Sequence, residues 1–239
     1  MVQVWRLAAL PGSAAERALV EVLAPEEAAQ SARFVPAGAR AQYVCAHGLL
    51  RLLLGAYLRT EPKSIRFTVG RWGKPSVAGA GRSGPEFNIA HSGGEVLLAF
   101  AEHAVGIDVE RHRRLSEAVD IAERFFSPAE AQAIRALGAP AREIGFFRLW
   151  TRKEAVVKAA GLSVAAASRE AVVLGLDAAH GVVELADADP DTPRSVCWTD
   201  LVLAGGYSAA VGSVGGPAGL RLLSLDGAAL RPGALRGLT

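Results

Sequence analysis

Two short acidic stretches carry residue types that could do chemistry together: Val105-Gly106-Ile107-Asp108-Val109-Glu110 and Leu149-Trp150-Thr151-Arg152-Lys153-Glu154-Ala155-Val156-Val157-Lys158. In the first, apolar Val105, Ile107 and Val109 alternate with the acids at the period of a strand, which predicts that Asp108 and Glu110 project from one face. The second lies in a run free of Gly and Pro that reads as an amphipathic helix, with Glu154 and Lys158 one turn apart on one face. If that helix packs on the strand end, three carboxylates and a cation converge. At about 4 Å and an effective dielectric of about 20, each like-charge pair costs roughly 4 kcal/mol, so such a cluster needs a proton or a metal ion. An oxygen-rich set suits magnesium, which takes a few carboxylates, keeps some waters and completes its shell with substrate phosphates. Each stretch alone also has a plainer reading. Asp108 and Glu110 suit the solvated side of a half-buried strand, and Glu154 with Lys158 suits a surface helix pair worth about 0.2–0.5 kcal/mol.

The elements that would position these residues are legible on either side. Met1 to Leu7 reads as a first strand, and residues 14–34 as a helix broken at Pro25. A helix from Arg40 to Leu58 is apolar around most of its circumference, as a helix at the centre of a domain is. His47 on it is read as a packing or capping histidine. Ile65–Val69 reads as a strand leading to the Gly73-Lys74-Pro75 turn, which is either a plain turn or a flat, backbone-lined pocket edge with a cation. Phe87 to Ser92 and Glu95 to Ala101 read as strands around Gly93-Gly94, and His91 lies where an imidazole can reach a bound phosphate. Ser127, Pro128 and Glu130 form a capping box, and the helix from Glu143 to Ala160 ends at Gly161. Strands are then predicted over Val172–Leu176, Val182–Leu185, Ser195–Leu203 and Tyr207–Val214, with Asp187, Asp189 and Asp191 in a solvated turn. The same order, long helix, hairpin, then two strands, occurs at 40–101 and 143–214. The expected fold is therefore α+β, a pseudo-duplicated chain in which each half is a long helix packed on a small, mostly antiparallel sheet. The expected subdomains are residues 1–104 and 105–239, with the acidic cluster at their junction.

A chain of 239 residues that is 51% hydrophobic can bury a substantial core. A net charge of +2, with no basic run interleaved with aromatics, gives no footprint for nucleic acid. Cys45 and Cys197 sit in apolar contexts without paired spacing, which fits free thiols in a reducing compartment. The N-terminus lacks the pattern of a leader, and no run is long enough for a membrane span. The expectation is a soluble, cytoplasmic monomer.

Taken in order, Gly73-Lys74-Pro75, Asn88-Ile89-Ala90-His91-Ser92, Gly106-Ile107-Asp108-Val109-Glu110, Arg124-Phe125-Phe126-Ser127 and Trp150 to Lys158 resemble the Sfp-type phosphopantetheinyl transferases over roughly residues 5–215. The resemblance implies an enzyme that takes coenzyme A with magnesium, moves the phosphopantetheine arm to a serine of an apo acyl or peptidyl carrier protein, and releases 3′,5′-ADP. The carriers expected are those of fatty acid, polyketide or nonribosomal peptide synthesis. It further implies that Asp108, Glu110 and Glu154 hold the metal, that Glu154 also helps deprotonate the carrier serine, and that Lys158 and His91 contact phosphate. Gly73, Lys74 and Pro75 match the segment lining the adenine pocket. The chain also departs from the family's pattern. Where the family commonly has an arginine for the 3′-phosphate of coenzyme A, this sequence has Gln42, with Arg40 two residues earlier as the candidate substitute. Basic residues usual just upstream are here Glu27 and Gln30, and Ala90 precedes His91 where Ser or Thr is usual. A site tolerant of coenzyme A lacking that phosphate is one consequence. The competing functions are a non-catalytic module binding carrier protein or coenzyme A, and a magnesium-dependent hydrolase of a nucleotide pyrophosphate.

Overall fold

Strand and helix periodicities in the sequence become strands and helices in the same order. The computed structural model describes residues 1–70, 73–79, 84–163, 171–173, 175–185, 193–216 and 219–230. β1 (Val2–Ala8) is followed by α1 (Ala14–Val20), α2 (Pro25–Ser31), α3 (Ala37–Leu58), β2 (Phe67–Val69), β3 (Pro75–Val77), β4 (Glu86–Ser92) and β5 (Glu95–Ala101). Then come β6 (Val105–Arg111), α4 (Ala118–Phe125), α5 (Pro128–Ala136), α6 (Ala141–Ala160), β7 (His180–Glu184), β8 (Ser195–Asp200), β9 (Tyr207–Ser213) and β10 (Leu220–Ser224). The fold is α+β. The chain forms two compact units, residues 3–102 with the chain from Leu220 onward, and His103–Gly219. No helix among the described residues is long and apolar enough to cross a membrane.

In the first unit the sheet order is β10-β1-β5-β4, antiparallel at β1–β5 and β5–β4. Leu49, Leu53 and Leu54 of α3 are fully buried and share one core with Trp5, Leu7, Val96, Leu98 and Phe100. Each such leucine contributes about 1.5–3 kcal/mol of transfer free energy, which is why this helix needs no polar face. Arg51 of α3 is also buried. Its Nε lies 2.5 Å from Glu27 Oε2 of α2, and its Nη1 donates to the carbonyls of Pro62 (2.8 Å) and Ile65 (3.1 Å). With the carbonyl of Ile65 taken, the strand predicted over Ile65–Val69 is confined to Phe67–Val69. The late strand β10 lies at the edge beside β1, and Leu225 donates its amide to the carbonyl of Arg6 (2.9 Å).

The second unit has sheet order β6-β9-β8-β7. In both units the opening strand pairs with the last strand of the repeat, and that strand with the one before it: β1-β5-β4 and β6-β9-β8. Ser127 caps α5 as predicted, accepting from the Glu130 amide (3.3 Å) while Glu130 accepts from the Ser127 amide (2.9 Å). Glu130 is completely buried, pairs with Lys153 of α6 at 2.8 Å and accepts from the Val173 amide at 2.7 Å. Arg152 binds Asp200 through two bonds (2.8 and 2.7 Å) and donates to the carbonyls of Gly175 (2.9 Å) and Ala178 (2.5 Å). These contacts correct the strand predicted over Val172–Leu176. Its described residues lie in no strand, because side chains of α5 and α6 take the backbone groups a ladder would need. Asp187, Asp189 and Asp191 lie outside the described residues.

The Glu27–Arg51 pair makes a pH-dependent contribution. Burial works to raise the Glu27 pKa, but hydrogen bonds from His47, Arg51 and the Ala24 amide, with the Arg51 charge, bring it down to about 2. The unfolded chain then takes up the proton first as pH falls, so the stabilisation is full above about pH 4.5 and is lost toward pH 2, about 3 kcal/mol in all. Glu27→Gln should be less stable than wild type at pH 7 and lose less on acidification. Urea unfolding at pH 7, 4 and 2.5 measures this, and parallel acid losses in the two proteins would contradict it.

Candidate active site

Period two places Gly106, Asp108 and Glu110 on the same face of β6, against α6. Gly106 pairs in register with Gly212 of β9. A Cβ at Gly106 would overlap the Ala155 carbonyl oxygen and the Ala159 amide nitrogen, and one at Gly212 would come within 2.6 Å of the same carbonyl. The two glycines therefore let the backbone of α6 rest directly on the sheet. One turn of α6 then brings Glu154 and Lys158 to the next residue of that face, Asp108. Lys158 Nζ donates to Asp108 Oδ1 at 2.8 Å and lies 3.4 Å from Glu154 Oε2. Asp108 is only 7% exposed, which overturns its reading as the solvated side of a strand.

Burial pushes the Asp108 carboxyl up to about 7. Lys158 pulls against this, whereas the charges of Glu154 and Glu110 reinforce it. Burial also opposes the Lys158 ammonium, but Asp108 and Glu154 together raise its pKa above the ordinary value. Among the described residues Asp108 Oδ2 is buried without a hydrogen-bond partner. Glu110 pairs with Arg113 at 3.4 Å, and the Arg113 guanidinium lies 4.8 Å from the centre of the Phe147 ring. Lys158 thus contacts both Asp108 and Glu154, and Glu154 and Glu110 lie close enough to act on Asp108 electrostatically. Among the described residues no three of His, Cys, Asp and Glu are grouped as a ready-made metal cage.

The other candidate residues belong to the first unit. Gly73, with φ of 84°, donates to the Gly70 carbonyl (3.0 Å) in the turn between β2 and β3. Lys74 Nζ lies 3.4 Å from Glu86 Oε2; burial lowers its pKa and Glu86 opposes the shift. Pro75 opens β3. His91 is exposed near the end of β4, and Glu86 begins that strand, so the two are separated by roughly 16 Å at about 3.3 Å per residue. Arg40, in the first turn of α3, pairs with Glu16 Oε1 at 2.9 Å. His47 stacks on Tyr43 with ring centres 4.1 Å apart, in keeping with a packing role.

Several residues behind the site were not singled out by sequence. Gly106 and Gly212 set the helix height, and the signal for the first is a glycine in a strand that is otherwise alternating. Lys153 and Glu130 form a wholly buried pair, although Lys153 beside Glu154 looks like an ordinary helix charge. His112 Nε2 lies 2.8 Å from Ser208 Oγ, and Ser208 faces Glu110 in register.

Comparison with known proteins adds an independent line. Residues 104–211 match the family model of the 4′-phosphopantetheinyl transferase superfamily. The chain is similar to 4′-phosphopantetheinyl transferase HetI of a Nostoc species, 34% identical over 166 residues that cover 69% of this chain and 70% of the relative. It is 33% identical to a putative 4′-phosphopantetheinyl transferase, slr0495, of a Synechocystis species over 144 residues, 60% of this chain and 58% of the relative. It is also 33% identical to 4′-phosphopantetheinyl transferase Sfp of Bacillus subtilis over 113 residues, 47% and 49% of the two chains. The alignments thus span about half of the Sfp relative and just over half of the Synechocystis one.

Two predictions follow from the geometry. Gly106→Ala places a methyl group where α6 backbone lies, and should lower stability by several kcal/mol and loosen the Lys158–Asp108 contact. A melting temperature within a degree or two of wild type would contradict this. Asp108, with its pKa raised, favours folding most when protonated, so its contribution is full below about pH 4 and is lost as pH rises through about 7. In EDTA, Asp108→Asn should therefore be more stable than wild type at pH 8, the difference closing below pH 5. Denaturant melts across that range measure it.

Proposed function

The chain belongs to the 4′-phosphopantetheinyl transferase superfamily and is an enzyme of that type, and from that premise we propose that it transfers the phosphopantetheine arm of coenzyme A to a serine hydroxyl of an apo acyl or peptidyl carrier protein, with magnesium, releasing 3′,5′-ADP. The observation that carries this reading is Lys158 bridging Glu154 and Asp108 Oδ1, while Asp108 Oδ2 is buried with no hydrogen-bond partner among the described residues. A buried carboxylate with an unmet acceptor and two further carboxylates nearby fits a divalent cation better than it fits a closed ion pair. Magnesium typically uses only one or two protein carboxylates beside waters and substrate phosphates, so a complete protein cage is not required. Asp108 and Glu154 would hold the ion, with Glu110 at its edge, and when bound it would supply positive charge to the pyrophosphate oxygens.

The chain's own residues account for the rest. Lys158, kept protonated by its two carboxylate neighbours, presents an ammonium that offsets charge on the phosphate under attack. Serine is a weak nucleophile near neutral pH, and Glu154, hydrogen-bonded only on the side facing Lys158 among its described partners, is the candidate to take its proton directly or through water. In the first unit Gly73, Lys74 and Pro75 are proposed to line the adenine site, with His91 and Arg40 directed to the phosphates.

The test is the intact mass of an apo carrier protein after incubation with this chain, coenzyme A and magnesium. A gain of one phosphopantetheine arm is expected, lost in EDTA, and slowed about a hundredfold or more in Asp108→Ala and Glu154→Ala. Undiminished transfer in either variant would remove these residues from the mechanism. Intact coenzyme A with unmodified carriers would indicate a binding module, and cleaved coenzyme A with unmodified carrier a hydrolase.

A further inference from the structure

A two-residue turn between antiparallel strands ordinarily needs no help from the rest of the fold, because the strands and two glycines suffice. The turn Ser92-Gly93-Gly94-Glu95 between β4 and β5 has the glycines, with φ of 58° and 97°, yet it is fastened from outside at each of its last three residues. Gln42 of α3, with its amide oxygen toward the turn, accepts from the Gly94 amide at 2.8 Å and the Gly93 amide at 3.1 Å. The Gly94 carbonyl accepts from the Ala9 amide at 2.7 Å. Arg6 of β1 donates to both carboxylate oxygens of Glu95, at 2.8 and 2.6 Å.

Successive left-handed residues aim their two N–H groups the same way, so one acceptor can take both. Gln42 supplies that acceptor, and in doing so joins the second turn of the central helix to the tip of the hairpin. The tip itself has no chemistry. What lies immediately before it is His91, exposed at the end of β4 and the one imidazole of the first unit assigned to substrate phosphate. A turn held only by its strands would rock about them, and the side chain nearest the turn would travel with it.

We propose that Gln42 is a positioning residue: by accepting from the Gly93 and Gly94 amides it fixes the β4–β5 turn and with it the place of His91 for the phosphates of coenzyme A. This rests on the transferase reading above. It also gives the side chain at position 42 a task that differs from binding phosphate itself, since its oxygen is already committed to two backbone donors.

Gln42→Met keeps the length and removes the acceptor; Gln42→Glu keeps both length and acceptor. Amide hydrogen exchange of Gly93 and Gly94, coenzyme A affinity by calorimetry, and steady-state transfer are measured for wild type and both variants. In Gln42→Met, faster exchange at both glycines, a KM and Kd for coenzyme A raised about tenfold, and kcat within about twofold of wild type are expected, the loss of two modest hydrogen bonds and of preorganisation. Gln42→Glu should restore the exchange protection and, at a salt concentration that screens its charge, the KM. Unchanged exchange in Gln42→Met overturns the clamp, and faster exchange with unchanged KM overturns its role in positioning. A wild type that binds coenzyme A but transfers nothing overturns the transferase reading instead, and the calorimetric comparison still decides whether Gln42 affects coenzyme A binding.

Discussion

The candidate site depends on one close approach, that of the α6 backbone to the Gly106–Gly212 pair of the sheet. Helices usually stand off a sheet on their side chains, and a side chain at either glycine would force that here. Removing both Cβ atoms lowers the helix until the Ala155 carbonyl touches the strands, and the side chains one turn apart on α6 fall level with Asp108. The ammonium of Lys158 can then reach a carboxylate that the same approach has taken out of water. Burial of Asp108 and its contact with Lys158 are two results of a single steric fact.

Further interactions hold α6 from its other side. Lys153 is drawn into the core by Glu130, and Arg152 by Asp200 with the carbonyls of Gly175 and Ala178, so adjacent residues on the helix are fixed in rotation about its axis. With Lys153 and Arg152 directed inward, Glu154 and Lys158 are left to face β6. The aromatic stack of Phe126, Phe146 and Trp150, at centre distances of 5.4 and 5.8 Å, anchors the same helix further toward its start. Precision at the site therefore comes from a regular element supported on both sides rather than from a loop.

Much of this is legible from sequence because it follows local rules. The alternation in Val105–Glu110, the Ser127 capping box and the Gly161 stop are each written in a few adjacent residues and appear in the structure as read. The opening strands β1 and β6 extend the duplication, which in the sequence shows only from the long helices onward. What was not legible required knowing which segments meet. Val172 to Leu176 has the composition of a strand, but its backbone groups are taken by Glu130 and Arg152, both remote in sequence. Lys153 and Arg152 look like surface charges until their partners are found, and the meaning of Gly106 appears only when a helix is laid over it.

Two of the buried carboxylate–cation contacts, Glu27–Arg51 and Asp108–Lys158, look alike on paper and differ in physics. Glu27 accepts from Arg51, His47 and the Ala24 amide, and its pKa falls to about 2: every demand of the charged form is met. Asp108 accepts from Lys158 on one oxygen, leaves the other without a partner among the described residues, has two further carboxylates close by, and its pKa rises to about 7. The first arrangement is what a structural pair becomes when its surroundings are free to satisfy it. The second keeps an acceptor unsatisfied inside an otherwise well-packed unit, and such a cost persists where something outside the chain is to be bound. A full complement of hydrogen bonds would stabilise Asp108 as it stabilises Glu27, but it would also close the oxygen proposed above to take up an ion.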